Sequence, residues 1–153
     1  MKNLKFEISE QKLTHEEIKE FEKEFKVKLP DSLVDILLSY NGGVLAGKTM
    51  DEKIVYINGV KSAYSFSTLY SIKYGVNTID DAIDTLQITE QHIPKEEIPF
   101  ADDQGGNQYT ISTREEDYGK IYLWYMDVGE PERVFVANSL EEFFTGKSEG
   151  KEE

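Results

Sequence analysis

The chain has 153 residues, the length of one ordinary folded domain, and a chain of this size buries about 68–70% of the surface its unfolded form exposes. It has no cysteine, which excludes disulfides, thiolate zinc sites, iron–sulfur clusters and cysteine nucleophiles, and fits a reducing cytoplasm. The net charge of −13 is unevenly spread: residues 1–78 carry 11 Lys+Arg against 11 Asp+Glu, and residues 79–153 carry 6 against 19.

The spacing of Thr14 and Glu17 is that of a capping box, with Leu13 and Ile18 placed as its hydrophobic staple, so a helix is predicted to start there. Ile18, Phe21 and Phe25 continue it as one apolar stripe. Pro30 breaks the pattern, and Leu33, Ile36, Leu37 and Tyr40 define a second helix. Asn41-Gly42-Gly43 predicts a left-handed cap where that helix stops. Ile54–Ile57 and Ala63–Phe66, split by Asn58-Gly59, read as a hairpin. Thr78–Leu86 suits a short helix with Ile79, Ile83 and Leu86 inward, and Pro94 and Pro99 bracket an extended segment ending in Ile98-Pro99-Phe100-Ala101.

Gln108–Thr113, Gly119–Met126 and Arg133–Ala137 are strands by composition. In Ile121-Tyr122-Leu123-Trp124-Tyr125-Met126 both alternating sets are apolar, which predicts a central strand covered on both faces. Ser139-Leu140-Glu141-Glu142 is a second capping box, opening a helix that Gly146 ends. Residues 1–146 are therefore expected as one domain and 147–153 as a polar disordered tail. No apolar run suits a signal peptide or a membrane span, so a cytoplasmic location and no membrane partner are expected.

Gly42-Gly43-Val44-Leu45-Ala46-Gly47-Lys48-Thr49 satisfies the P-loop pattern, but that motif needs a strand leading in and a helix leading out. Here a helix leads in and a β-type run leads out, so an NTP-dependent enzyme is a distant third reading. His15 and His92 stand far apart in polar sequence and suggest no catalytic or metal pair. Asp80, Asp81 and Asp84, and Asp102 with Asp103, lack the spacing of a calcium loop. No catalytic set, cofactor or metal is expected. The acidic half repels a phosphate backbone, which argues against direct nucleic-acid binding and for a basic partner.

Taken in order, the capped helix with Ile18 and Phe21-Glu22, Leu29-Pro30, Tyr40-Asn41-Gly42-Gly43, Ile98-Pro99-Phe100-Ala101 with Asp102 and Gly106-Asn107, Gly119-Lys120-Ile121-Tyr122 with Trp124, and the closing Ser139–Phe143 helix resemble the SUKH superfamily across residues 14–145. The doubled Gly105-Gly106 departs slightly from that pattern. The resemblance implies a single α+β domain with helices on a largely antiparallel sheet. It also implies a non-enzymatic role: many bacterial members are immunity proteins that neutralise a cognate toxin, commonly a nuclease, and fungal relatives regulate cell-wall assembly. The acidic excess fits an inhibitor that occludes a toxin's basic surface. Asp80, Asp81, Asp84, Asp102, Asp103 and Asp127 are the candidate toxin contacts, chosen for clustering and for placement on loops or a helix surface. A regulatory or scaffolding module of the same fold is the alternative.

Overall fold

In the computed structural model, which describes residues 4–45, 53–57, 60–126 and 131–145, Thr14 starts the first helix as its spacing to Glu17 dictates. The Glu17 amide donates to Thr14 Oγ1 at 3.1 Å and the Thr14 amide to Glu17 Oε1 at 3.0 Å, closing the capping box. Helix α1 (His15–Phe25) buries Ile18 and Phe21 and ends on Lys26 in the left-handed conformation. Helix α2 (Asp31–Ser39) buries Leu33, Ile36 and Leu37.

The glycines after α2 do not form the left-handed cap that their sequence predicts. Its cap residue, Tyr40, is extended (φ −142°), and the positive φ angles come later, +82° at Gly42 and +121° at Gly43. Their reason is close approach of two backbones. Strand β2 (Gly43–Leu45) pairs antiparallel with β1 (Phe6–Glu7), and a Cβ on Gly43 would lie 2.3 Å from the Glu7 carbonyl oxygen. Strand β2 begins inside the P-loop pattern and follows a helix, the opposite of the order phosphate binding requires; Ala46 to Thr49, Lys48 included, lie outside the described residues.

Between the two glycines and α2, Asn41 is buried and fastens three segments. Its Nδ2 donates to the carbonyls of Gln11 at 2.8 Å and Ile72 at 3.0 Å, and its Oδ1 accepts from the Ile72 amide at 2.8 Å. Strands β3 (Lys53–Ile57) and β4 (Val60–Tyr64) form the expected hairpin, whose Asn58-Gly59 turn lies outside the described residues. Strand β5 (Thr68–Leu69) follows. Helix α3 (Ile79–Ile83), capped by Thr78, buries Ile79 and Ile83 and runs on as a π-helical turn over Asp84–Thr89.

The remaining strands are β6 (Glu97–Asp102), β7 (Gln108–Ser112), β8 (Ile121–Tyr125) and β9 (Glu132–Ala137), before helix α4 (Leu140–Thr145). Ser139 Oγ accepts from the Glu142 amide at 3.0 Å, as the second capping box predicts, and the Glu142 carboxylate also accepts the Asn138 amide. Gly146 and the tail 147–153 lie outside the described residues.

Among the described residues seven strands make one antiparallel sheet in the order β1-β2-β5-β6-β7-β8-β9, so this is an α+β fold. Strand β8 is next to last, not central as its doubly apolar pattern predicts; the middle position belongs to β6. A proline in a middle strand is accommodated by a bulge. The register shifts between Pro99 and Ala101, and β5 pairs only with Ala101 and Asp102, leaving Pro99 beyond that ladder. One face of the sheet supplies Ile98, Phe100, Tyr109, Ile111, Ile121 and Leu123 to a continuous core with α1, α2, α3 and α4. Phe143 of α4 is fully buried at its centre, with Tyr109 at 4.8 Å and Phe100 at 6.1 Å between ring centroids.

Candidate interaction surface

The opposite face of the sheet follows from the register. Strand pairing sets Glu97 across from Ser112, Thr110 across from Tyr122, Gln108 across from Trp124, Trp124 across from Arg133, and Tyr122 across from Phe135. All of these share one face, because directly opposed residues point the same way. Tyr122 and Trp124 are thus the second apolar set of β8, and charged side chains pack against them.

Glu97 is fully buried at the centre of that cover. Its Oε1 accepts from Thr110 Oγ1 and Trp124 Nε1, both at 2.9 Å. Its Oε2 accepts from Arg114 Nη2 at 2.7 Å and from Arg133 Nη1. Arg114 also forks onto Asp117, with Nε–Oδ1 at 3.1 Å and Nη2–Oδ2 at 2.8 Å. Asp117 takes in addition the hydroxyls of Ser112 at 2.5 Å and Tyr122 at 2.7 Å. The Arg133 guanidinium lies 4.1 Å from the Tyr122 ring centroid, a stacked cation–π contact. Two carboxylates and two guanidiniums balance, and the protein's own donors occupy all four acceptor positions of Glu97. Its carboxylate ties β6 to β7, β8, β9 and the turn after β7.

This cluster changes the reading of the charge. The chain has 15 lysines and only two arginines, and both arginines end on Glu97. Arginine suits such a place, since its planar fork meets carboxylates bidentately and is weakly hydrated. That choice of Arg twice against Lys fifteen times was the one sequence signal pointing to a buried acid, and it does not identify which acid.

The predicted aspartates divide into two kinds. Asp81 and Asp84 are exposed on α3 and its π-helical continuation, and no ion pair among the described residues involves either. The others hold loops. Asp80 accepts the Lys73 amide at 3.0 Å, and Asp102 accepts the Thr68 amide at 3.1 Å. Burial pushes the Asp102 carboxyl up from its ordinary value. Asp103 organises the Gly105-Gly106 turn, accepting the amides of Gly105 at 2.8 Å and Asn107 at 2.9 Å and the Asn107 side chain at 3.0 Å. Asp127 lies outside the described residues. Both histidines are exposed, and His92 faces Glu90 at 3.3 Å.

Beside α3 lies a cleft of about 240 Å³, lined by Tyr70 just after β5, Gln108 of β7, and Asp81, Ala82, Thr85 and Leu86. The Tyr70 hydroxyl donates to Gln108 Oε1 at 2.7 Å. Burial and the neighbouring Asp102 charge push that hydroxyl's pKa up, so it stays protonated.

The chain's similarities agree with this architecture. The SMI1 / KNR4 family model (SUKH-1) matches residues 12–146. The chain belongs to the SMI1 / KNR4 family. Its match spans helices α1 to α4 and strands β2 to β9, leaving out β1, and so covers both the Glu97 cluster and the α3 cleft. An SPbeta prophage-derived uncharacterized protein, YokK, of Bacillus subtilis (strain 168) is 29% identical over 144 residues, covering 85% of this chain and 72% of that protein. No helix among the described residues is long and apolar enough to cross a membrane.

The carboxylates also fix a pH response. Asp117 is held well below the usual carboxylate range, chiefly by Arg114, and Glu17 at about 2, chiefly by the Tyr74 hydroxyl and then by the Thr14 amide and Lys73. Both folded values lie below the unfolded ones of about 4, so the stability they add is complete above that pH and lost as pH falls through the folded values. Asp102, raised by burial, works in the opposite sense and is one group against two. The urea midpoint is expected to stay level from pH 7 to about 5 and to fall from about 4 downward. Asp117→Asn should lower the midpoint at pH 7 and flatten that fall.

Proposed function

We propose that this protein is an immunity protein that binds a cognate toxin, of the nuclease class, and occludes its basic surface. The observation that carries the reading is the charge of the second half. Residues 79–153 hold the entire −13, and both arginines in that half are committed to Glu97 and Asp117, so neither offsets the exposed acids. A nuclease must present cations to phosphates, and an acidic face complements them. Membership of the SMI1 / KNR4 family and the likeness to a prophage-derived protein support the same reading. On it the protein acts by binding in the cytoplasm, without catalysis, cofactor or metal. Asp84 and Asp81 are the exposed contacts, and Asp80, Asp102 and Asp103 add to the field while shaping their loops.

The test is surface plasmon resonance against the toxin encoded beside this chain's gene. Association should be fast at low salt and slow as salt rises, because screening acts beyond about 8 Å at 0.15 M. Asp84→Lys, at the rim, should lower the on-rate severalfold with little change in the off-rate. If neither salt nor charge reversal alters the rates, the electrostatic mechanism is wrong. If several weaker partners are held and no toxin is, the protein is a regulatory or scaffolding module.

A further inference from the structure

Six large apolar side chains are exposed among the described residues, and three of them meet at one place: Ile8 (81% exposed), Val44 (39%) and Val76 (83%). Single exposed apolar residues need no explanation, but a cluster around a depression does. These three rim a groove of about 250 Å³ floored by the Gly42-Gly43 backbone and Leu69. Ile8 is held there at φ +60°, a conformation that a β-branched residue rarely adopts.

The rim is rigid. Ser71, itself buried, ties the loop that carries Val76: its amide donates to the Asn77 carbonyl at 3.0 Å, its hydroxyl to the Tyr74 carbonyl at 2.6 Å, and its carbonyl accepts the Ile79 amide at 2.7 Å. The arm bearing Ile8 is fixed by the Glu10 amide on the Asn41 carbonyl at 2.9 Å and by Ser9 Oγ on the Gly42 carbonyl at 2.7 Å. A surface already ordered loses little conformational freedom on binding.

Val76 and Asn77 also line the α3 cleft, so the apolar groove and the cleft are neighbouring parts of one surface. Chemistry along it is graded. The groove is lined by apolar side chains together with Glu10, and the cleft by Asp81 together with the apolar Ala82 and Leu86 and the buried Tyr70. A long cationic side chain matches that cleft, its stem on the apolar wall and its charge at the carboxylate.

We propose that the groove and the cleft form one docking surface for an extended segment of the toxin, with an arginine or lysine side chain in the Asp81 cleft and an adjacent apolar side chain over Ile8, Val44 and Val76. The identity of the partner rests on the immunity reading above; the chemistry of the surface does not.

The first measurement therefore uses peptides. Amide chemical shifts of the ¹⁵N-labelled full chain are followed on titration with acetyl-Leu-Arg-Leu-amide and acetyl-Leu-Glu-Leu-amide. Saturable shifts at residues 8–10, 42–44 and 76–86 are expected with the arginine peptide, with binding at least about fivefold weaker for the glutamate peptide or in Asp81→Asn. Equal binding of both peptides, shifts elsewhere or none, or shifts there that depend on protein concentration alone and so report a second copy of the chain, would overturn the proposal. The second measurement uses the neighbouring toxin, whose off-rate Val76→Glu and Asp81→Asn should each raise about tenfold or more, with circular-dichroism melting unchanged. If the toxin is held and both variants leave its off-rate unchanged, the docking surface is wrong and the immunity role stands. If no toxin is held, the immunity reading fails and the peptides alone decide the surface.

Discussion

Glu97→Ala should destabilise the fold by about 3–5 kcal/mol, because it leaves two guanidiniums partly buried without the carboxylate that both face. Stability of a domain this size is about 5–15 kcal/mol, so the loss is a large share of the whole. The effect belongs to the broken pair, not to the intact one, since taking the carboxylate and both guanidiniums out of water offsets most of their attraction. Replacing Glu97, Arg114, Asp117 and Arg133 together by Leu and Met removes every charge of the cluster and should therefore recover part of the loss. Urea denaturation followed by circular dichroism separates the two. A single variant as stable as wild type, or a quadruple variant far weaker than the single, would show that the cluster is held differently.

Trp124→Ala should cost about 3–5 kcal/mol, the range for emptying a buried aromatic site. It is buried on the face opposite the helical core, 9% exposed, and gives its indole N–H to Glu97. Trp124→Phe separates the two contributions: most of the apolar area remains, Glu97 loses one donor, and the expected cost is about 1–3 kcal/mol. Because Trp124 and Glu97 are bonded partners, the double alanine variant should lose less than the two single losses added. Full additivity in the denaturation midpoints would mean that the indole N–H contributes nothing.

The elements legible from sequence were those whose cause is local. Thr14 and Glu17 are three residues apart, so their capping box could be read directly, and the same holds for the stripe Ile18–Phe21–Phe25 and for the short helix at Thr78. What depended on which strands become neighbours was not. Strand β8 announces that both its faces are covered, yet not by what; its second cover is a cluster of charges from β6, β9 and the turn after β7. The four donors to Glu97 lie 13, 17, 27 and 36 residues away, and nothing local in Glu96-Glu97-Ile98 distinguishes the buried acid from its neighbour. Glycines after a helix signal its stop because that is their commonest local use. The close approach of Gly43 to Glu7 and of Gly42 to Ser71 is long-range. Of the six aspartates, clustering in sequence could not tell Asp81 and Asp84, which face solvent, from Asp80, Asp102 and Asp103, which hold backbone amides.

Asn41 sets how the molecule breathes. The Ile72 amide can meet solvent only when the Asn41 side chain withdraws, and that same side chain secures Gln11 on the other flank. Neither the amino-terminal arm nor the loop that follows β5 can therefore peel away alone. Hydrogen–deuterium exchange at Ile72 should track global unfolding, as in the most protected segments of a fold, and a protease should find no early nick at residues 8–12 or 70–78.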